Sequence, residues 1–368
     1  MSEFIGANLR LARLFHGLSI TELAERLGRS KQFISRVEIG AETVSSQLET
    51  ALTDELWVLP EFFYKIDPMP IADEQCHFRK QLTTKVLLRQ TARARGEMLK
   101  RLVGVLDEKL ELPAYGIVES DPVSMEAIER GAEKCRQFWA LGIGPISNVT
   151  RIAENAGAVV MKVHGLAEEV DAVSFATRRP VVALNALRRS TCRVRFAIAH
   201  ELGHFALHTG VLTGDRLTEA QANRFASAFL LPRTSFSSEC RKALRGTRLN
   251  WQALSELKLR WGVSKAAIIY RARQLEIFSE AQARAGFITL NRHGEAIQEI
   301  EDHLVAPETP EIIDEGLKVL RENLGIPQST VARSMWVQPR FLEELTGEQT
   351  TEPGNNVFCI ARATVSSP

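Results

Sequence analysis

No stretch of these 368 residues is apolar for long enough to cross a bilayer, and nothing at the start resembles a secretory leader, so the expectation is a cytoplasmic protein without membrane contact. Cysteine is scarce. Cys76, Cys135, Cys192, Cys240 and Cys359 are odd in number, scattered, and lack the spacing of a metal site, which argues against a disulfide framework and predicts reduced thiols. No charge sign dominates: the net charge is +1, so any contact with nucleic acid must rest on a local patch or on pairing of two copies. No heptad repeat fixes such a dimer interface. What is present is a chain with 45% hydrophobic residues, long enough for two or three domains with cores of their own.

The most informative stretch is His200-Glu201-Leu202-Gly203-His204. On a helix, positions i and i+4 lie one above the other, so both imidazoles can point at one ion, with Glu201 beside it as a general base. The flanking Phe196, Ile198, Ala199, Leu202, Phe205, Ala206 and Leu207 predict a buried helix. A catalytic zinc site takes a third protein ligand and keeps one position open. His208, Asp215 and Glu219 are the nearest candidates. His208 continues the same face, but Phe205-Ala206-Leu207 offers no glycine to turn the chain back, so His208 reads as a residue supporting the ligands. Glu219 is better placed, on an alanine-rich segment running to Leu231 that Pro232 should end. Asn223 and Arg195 are further candidates for support, and His208 and Arg195 for stabilising an oxyanion. An extended peptide could add to the sheet at a Val181 to Leu184 edge strand.

The run Arg195-Phe196-Ala197-Ile198-Ala199-His200-Glu201-Leu202-Gly203-His204-Phe205-Ala206-Leu207-His208, followed by Glu219-x-x-Ala222-Asn223-x-Phe225-Ala226-x-x-Phe229-Leu230-Leu231-Pro232, resembles the ImmA/IrrE family of bacterial zinc metallopeptidases. The resemblance reaches upstream through Gly144-Pro145-Ile146, a helix over Val149 to Ala156, a strand over Ala158 to Val163, and a small sheet from Asp171 to Phe175 and Pro180 to Asn185. It implies a zincin-like fold with zinc held by His200, His204 and Glu219, and Glu201 as base. Leu231 stands where the family usually has methionine, a change of packing only.

A second motif lies near the start. Leu18 to Gly40 reads as two short helices joined at Gly28, with Ile20, Leu23, Ala24 and Leu27 on one inner face and Phe33, Ile34 and Val37 on the other. Ser30 suits the N-cap of the second helix, leaving Lys31, Gln32, Ser35 and Arg36 near its outward start, where side chains can reach base edges or phosphates. From about Phe4 to Tyr64, including a helix ending near Trp57 and a fifth starting at Pro60-Glu61-Phe62-Phe63, the chain resembles the XRE, or Cro and phage repressor-like, helix-turn-helix family. That implies those four residues as contacts to double-stranded operator DNA. Ala41-Glu42-Thr43-Val44 replaces the polar turn usual after Gly40. Charge supports DNA contact only in part: six bases against three acids through Arg36 are followed by one lysine and seven acids in residues 37–68. Basic residues such as Arg89, Arg93, Arg95, Lys100 and Arg101 could extend the surface, or line a solvated helix face.

The expected fold is mainly α with a small β-sheet (α+β): a five-helix DNA-binding unit over residues 1–68, a helical linker over 69–112, a peptidase domain over 113–279, and an acidic helical region with a loose tail over 280–368. From Glu280 onward fourteen acids face seven bases, which favours protein contact there, and Ile326 to Gly347 reads as a second helical hairpin. The expected function is a homodimeric DNA-binding regulator whose zinc endopeptidase cuts a repressor or other regulatory protein, or the chain itself, with single-stranded DNA as a candidate signal. The competing expectation is a repressor or antitoxin-like protein whose zincin domain senses a ligand or binds a partner without catalysis.

Overall fold

The computed structural model describes residues 3–67, 69–71, 75–78, 86–164, 171–187, 190–347 and 360–361. It is mainly helical, with small sheets. Four helices open it: α1 (Gly6–Phe15), α2 (Ile20–Arg26), α3 (Lys31–Glu38) and α4 (Ser46–Leu56), followed by a 3-10 turn over Pro60–Tyr64. The starts of α2, α3 and α4 are written in serines. Ser19 and Glu22 form a reciprocal capping box on α2, Ser30 accepts from Phe33 N, and Ser45 from Leu48 N. Gly28, at φ +61°, turns the chain between α2 and α3. Leu23, Ala24, Ile34 and Val37 are buried, with Ile20, Leu27 and Phe33 packed around them, as the sequence stripes predict.

After β1 (Cys76–Phe78) come the long α5 (Val86–Lys109), β2 (Leu110–Glu111), α6 (Met125–Phe138), α7 (Val149–Asn155), β3 (Val159–Val163), β4 (Ala172–Phe175) and β5 (Val181–Asn185). Next are α8 (Thr191–Leu207), α9 (Arg216–Leu230), α10 (Arg233–Cys240), the hairpin β6 (Leu244–Arg245) with β7 (Arg248–Leu249), α11 (Trp251–Trp261), α12 (Lys265–Gln274) and α13 (Glu280–Arg292). The chain continues with α14 (Ile312–Glu322), α15 (Gln328–Ser334), α16 (Pro339–Thr346) and β8 (Ile360–Ala361), which pairs with β2. The tail expected to be loose lies outside the described residues apart from that pair.

The main sheet has the order β1-β4-β5-β3, with β3 and β5 parallel and the other pairs antiparallel. It divides two cores. Val159, Met161, Val163, Val173, Phe175, Val181 and Ala183 pack toward α5 and the first helices, whereas Val160, Ala172, Val182 and Leu184 pack with α8. Burial on both faces explains why β5 reads as an unbroken apolar run. It also corrects the expectation of an edge strand at Val181 to Leu184: β5 is paired on both sides and has no free edge to offer a peptide.

The helix expected to be a linker is a packed element. Arg95 donates to Phe15 O and His164 O and pairs with Glu344, Arg101 stacks over Phe62, and Lys100 pairs with Asp67 and Glu97, so these cations are engaged within the chain. Gly96 lets α5 approach the sheet, because a Cβ there would overlap the Phe175 ring. Gly96→Ala is expected to destabilise the fold by about 1–3 kcal/mol, read as a lower urea midpoint at unchanged slope.

The two ends of the chain meet. Trp57-Val58-Leu59-Pro60-Glu61-Phe62 and Trp336-Val337-Gln338-Pro339-Arg340-Phe341 repeat one pattern, and both tryptophans adopt left-handed φ, 56° and 57°. Val58 and Val337 bridge antiparallel, Leu59 N donates to Trp336 O and Gln338 N to Trp57 O, and Phe341 stacks on Phe15 at 3.8 Å. The hairpin expected over Ile326 to Gly347 is present as α15 and α16, with Val331, Ala332, Met335, Phe341 and Leu342 buried.

The acids of the last region are largely used within the chain. Lys258, fully buried, reaches Glu299 at 2.6 Å and Asp302 at 2.5 Å; Lys265 pairs with Glu295 and Glu301; Arg195 pairs with Glu308. These pairs strap residues 295–308 onto α8, α11 and α12. Glu154 then accepts from the backbone of Glu311 and Ile312 at the start of α14. Burial pushes the Glu154 carboxyl up from 4.5 to about 8, against the pull of those two donors. A raised acid stabilises the fold fully below its unfolded value, and that contribution is lost as pH rises through about 8. Between those values the native chain should lose up to about 1.4 kcal/mol per pH unit relative to Glu154→Gln, measured as urea midpoints.

Candidate metal centre

The site is built by two crossing helices. Every residue of α8 from Ala197 to Leu207 is buried, and α9 passes close over it. A Cβ on Gly203 would lie 3.1 Å from Phe225 Cδ1 and 3.2 Å from Ala222 O, so small residues on both helices set the approach. Asp215, one of the sequence candidates for the third ligand, caps α9 by accepting from Leu217 N and Thr218 N. Glu219, one turn further on, faces α8. His200 Nε2 and His204 Nε2 lie 3.1 Å apart, and the Glu219 carboxylate is 3.3 Å from each.

Hydrogen bonds assign the protons. Gln221 donates its amide N–H to Pro122 O, so its Oε1 accepts the Nε2 proton of His208 at 2.9 Å. His208 Nδ1 is then an acceptor for the Nδ1 proton of His204 at 3.0 Å, and His204 Nε2 is left with a lone pair. His200 Nδ1 likewise donates to Asn223 Oδ1 at 3.1 Å, freeing its own Nε2. Burial holds the His204 imidazole neutral, pushed down to about 4.

Two lone pairs and a carboxylate thus converge with no proton between them, and both Glu219 oxygens are buried without a hydrogen-bond partner. The three side chains form a group able to hold a metal ion. A zinc ion with bonds of about 2.0–2.1 Å places its tetrahedral ligands about 3.3–3.4 Å apart, so the spacing fits that ion.

Glu201 lies beside this group, 2% exposed, and accepts a short hydrogen bond from Ser174 Oγ on β4. Ser174 was not foreseen, since a lone serine in an apolar strand carries no pattern. Gln221 was also missed, although its place two residues after Glu219 on the same helix was a usable signal. Asn223 and His208, both read in the sequence as candidates for support, are hydrogen-bonded to His200 and His204 respectively. Arg195 is not: its guanidinium is committed to Glu308, Ile146 O and Trp261 O, which corrects its assignment to the site or to an oxyanion. His208 is equally unavailable for an oxyanion, with both ring nitrogens occupied. A cavity of about 290 Å3, lined by Asp171, Arg193, Phe196, Tyr270 and Ile297, adjoins the site through Asn223.

At the other motif, Lys31, Gln32 and Arg36 are exposed and Ser35 is half-buried. Arg36 pairs with Glu42 at 2.8 Å, and Arg13 is buried against Glu38, which removes one cation from the surface. Cys76 is buried, and Cys135, Cys192 and Cys240 are buried thiols pushed up to about 11, 12 and 12 by burial. Cys359 lies outside the described residues. No helix among the described residues is long and apolar enough to cross a membrane.

A helix bearing His-Glu-x-x-His, crossed by a second helix that delivers a glutamate, defines a metallopeptidase-type centre. Residues 153–273, from α7 to α12, match the M78 peptidase family described as the IrrE N-terminal-like domain, so the middle of the chain carries a domain of that kind. A search of curated proteins finds no match to the chain.

Proposed function

We propose that this chain is a zinc-dependent endopeptidase that cuts an extended segment of a regulatory protein, joined to an N-terminal unit that binds double-stranded DNA. The observation that carries the peptidase reading is the proton assignment at His200 and His204, which leaves both Nε2 lone pairs and the Glu219 carboxylate facing one point. His200, His204 and Glu219 would hold the ion. When bound, zinc supplies Lewis acidity that polarises a peptide carbonyl and acidifies water. Glu201 takes the proton from the attacking water and delivers it to the departing amine. Ser174 orients the Glu201 carboxylate by donating to one of its oxygens. His208, Gln221 and Asn223 keep the imidazoles in the tautomer that ligates.

Exposure of Lys31 and Gln32 at the start of α3 and of Arg36 in its last turn supports the DNA reading, with Arg36 exchanging Glu42 for a phosphate or base. Pairing of two copies on a palindromic operator would add the phosphate contacts that one unit lacks. The test is to incubate the zinc-loaded chain with a panel of helix-turn-helix repressors, with and without double- and single-stranded DNA, and to read intact masses. New fragments from a repressor, or from the chain itself, that are absent with Glu201→Gln establish the peptidase. Unchanged masses throughout, with DNA still bound in a mobility assay, favour a regulator whose zincin domain only senses.

A further inference from the structure

We infer that β1 is an internal substitute for substrate, occupying the strand edge on which an extended polypeptide would lie for cleavage. The inference rests on the peptidase reading and concerns how that site is controlled. The strand β4 reaches the base through the hydrogen bond from Ser174 to Glu201. Its inner edge is taken by β5, so its outer edge is the one open to another strand. An extended peptide binds such an edge through main-chain hydrogen bonds, antiparallel pairing being available without a crossover.

That edge is filled from within the chain. β1 comes from the segment between the first helices and α5, about a hundred residues earlier, and pairs antiparallel with Cys76 opposite Phe175, His77 opposite Ser174 and Phe78 opposite Val173. The pairing extends one residue further, where Ala176 N donates to Gln75 O at 2.8 Å and the Gln75 side chain donates to Ala176 O at 2.9 Å. Cys76 is buried in the core on the α5 face, which anchors the strand. Substrate and β1 therefore compete for the same hydrogen bonds, and cleavage requires β1 to leave.

Two variants of the full chain test this. Gln75 and Ala176 exchange a main-chain hydrogen bond, so alternation makes His77 and Ser174 the next bonded pair, and His77→Pro deletes a donor there. Conversely, Gln75→Cys with Ala176→Cys, in a Cys76→Ala background, places two thiols on a pair with Cα atoms about 5.5 Å apart, within disulfide reach. Two readouts are taken on zinc-loaded protein: cleavage of unfolded casein, and anisotropy of a fluorescein-labelled synthetic peptide with the sequence of residues 71–80. Casein cleavage should rise about tenfold or more in His77→Pro, and fall by a similar factor on oxidation of the double-cysteine chain, returning on reduction. The peptide should bind His77→Pro and not the oxidised chain. Equal casein cleavage by all forms overturns the inference and leaves the peptidase intact. No cleavage by any form, with the expected difference in peptide binding, retains the edge and overturns the peptidase reading. No cleavage and no difference in binding overturns both.

Discussion

Replacing either His204 or Glu219 with alanine should reduce metal content from about one ion per chain to about none, in protein purified without added metal and measured by elemental analysis. Each removes one of three converging ligands, and the nearest alternatives are engaged elsewhere: the His208 nitrogens are both bonded and Asp215 caps α9. Three comparison variants make the result specific. Glu201→Gln should keep the metal while peptide cleavage falls by about 10^2–10^4-fold, because it removes the proton carrier and leaves the ligands. His208→Ala should retain a site weakened by about 10–100-fold in affinity, since it frees the His204 ring to turn and to change tautomer. Equal metal content in native, His204→Ala and Glu219→Ala chains would overturn the site.

The second large effect lies away from the metal. Lys258→Met should destabilise the chain by about 3–5 kcal/mol, because it leaves Glu299 and Asp302 buried without their cation. At roughly 2–4 °C per kcal/mol, the thermal midpoint should fall on the order of 10 °C. The damage should reach α12, because Glu299 also accepts from Lys265 N and Ala266 N at its start. Adding Glu299→Gln and Asp302→Asn to Lys258→Met should recover much of the loss, since neutral amides tolerate the apolar neighbour better than two carboxylates do. A triple variant as unstable as the single one would mean that packing of the lysine stem, rather than unpaired charge, holds the strap.

What could be read from the sequence is what depends on short spacings. The four-residue step of His200 and His204, the stripes of α2 and α3, the serine caps and the apolar helix around the metal group are local features, and each appears where its residues predict. Glu219 was within reach because it begins the next helix. Ser174 and the β1 pairing were not, since a strand carries no record of its partner, least of all one a hundred residues away. The β5 edge was misread for a related reason: an apolar pentapeptide buried on both faces looks the same at a sheet's centre and at its border. Arg195 was misassigned because its partner, Glu308, lies 113 residues on. The acidic last region was read as a contact surface, and its glutamates instead meet lysines and arginines of the same chain.

The joining of Trp57 to Trp336 sets an order on folding. The core around α8 draws on residues from Ile117 to Leu290, one continuous stretch, and can form as soon as that stretch has been synthesised. The core on the other face of the sheet needs both the first helices and α14 to α16, and Gln338 reaches Thr53 across 285 residues. Closing so long a loop is slow, and it cannot begin until the last hairpin leaves the ribosome. In the interval α5 already covers Phe175, but β3, with Val159 and Met161, lacks the cover of α14 and α16. A growing chain therefore passes through a stage in which the apolar face of β3 is open to aggregation until the last helices arrive.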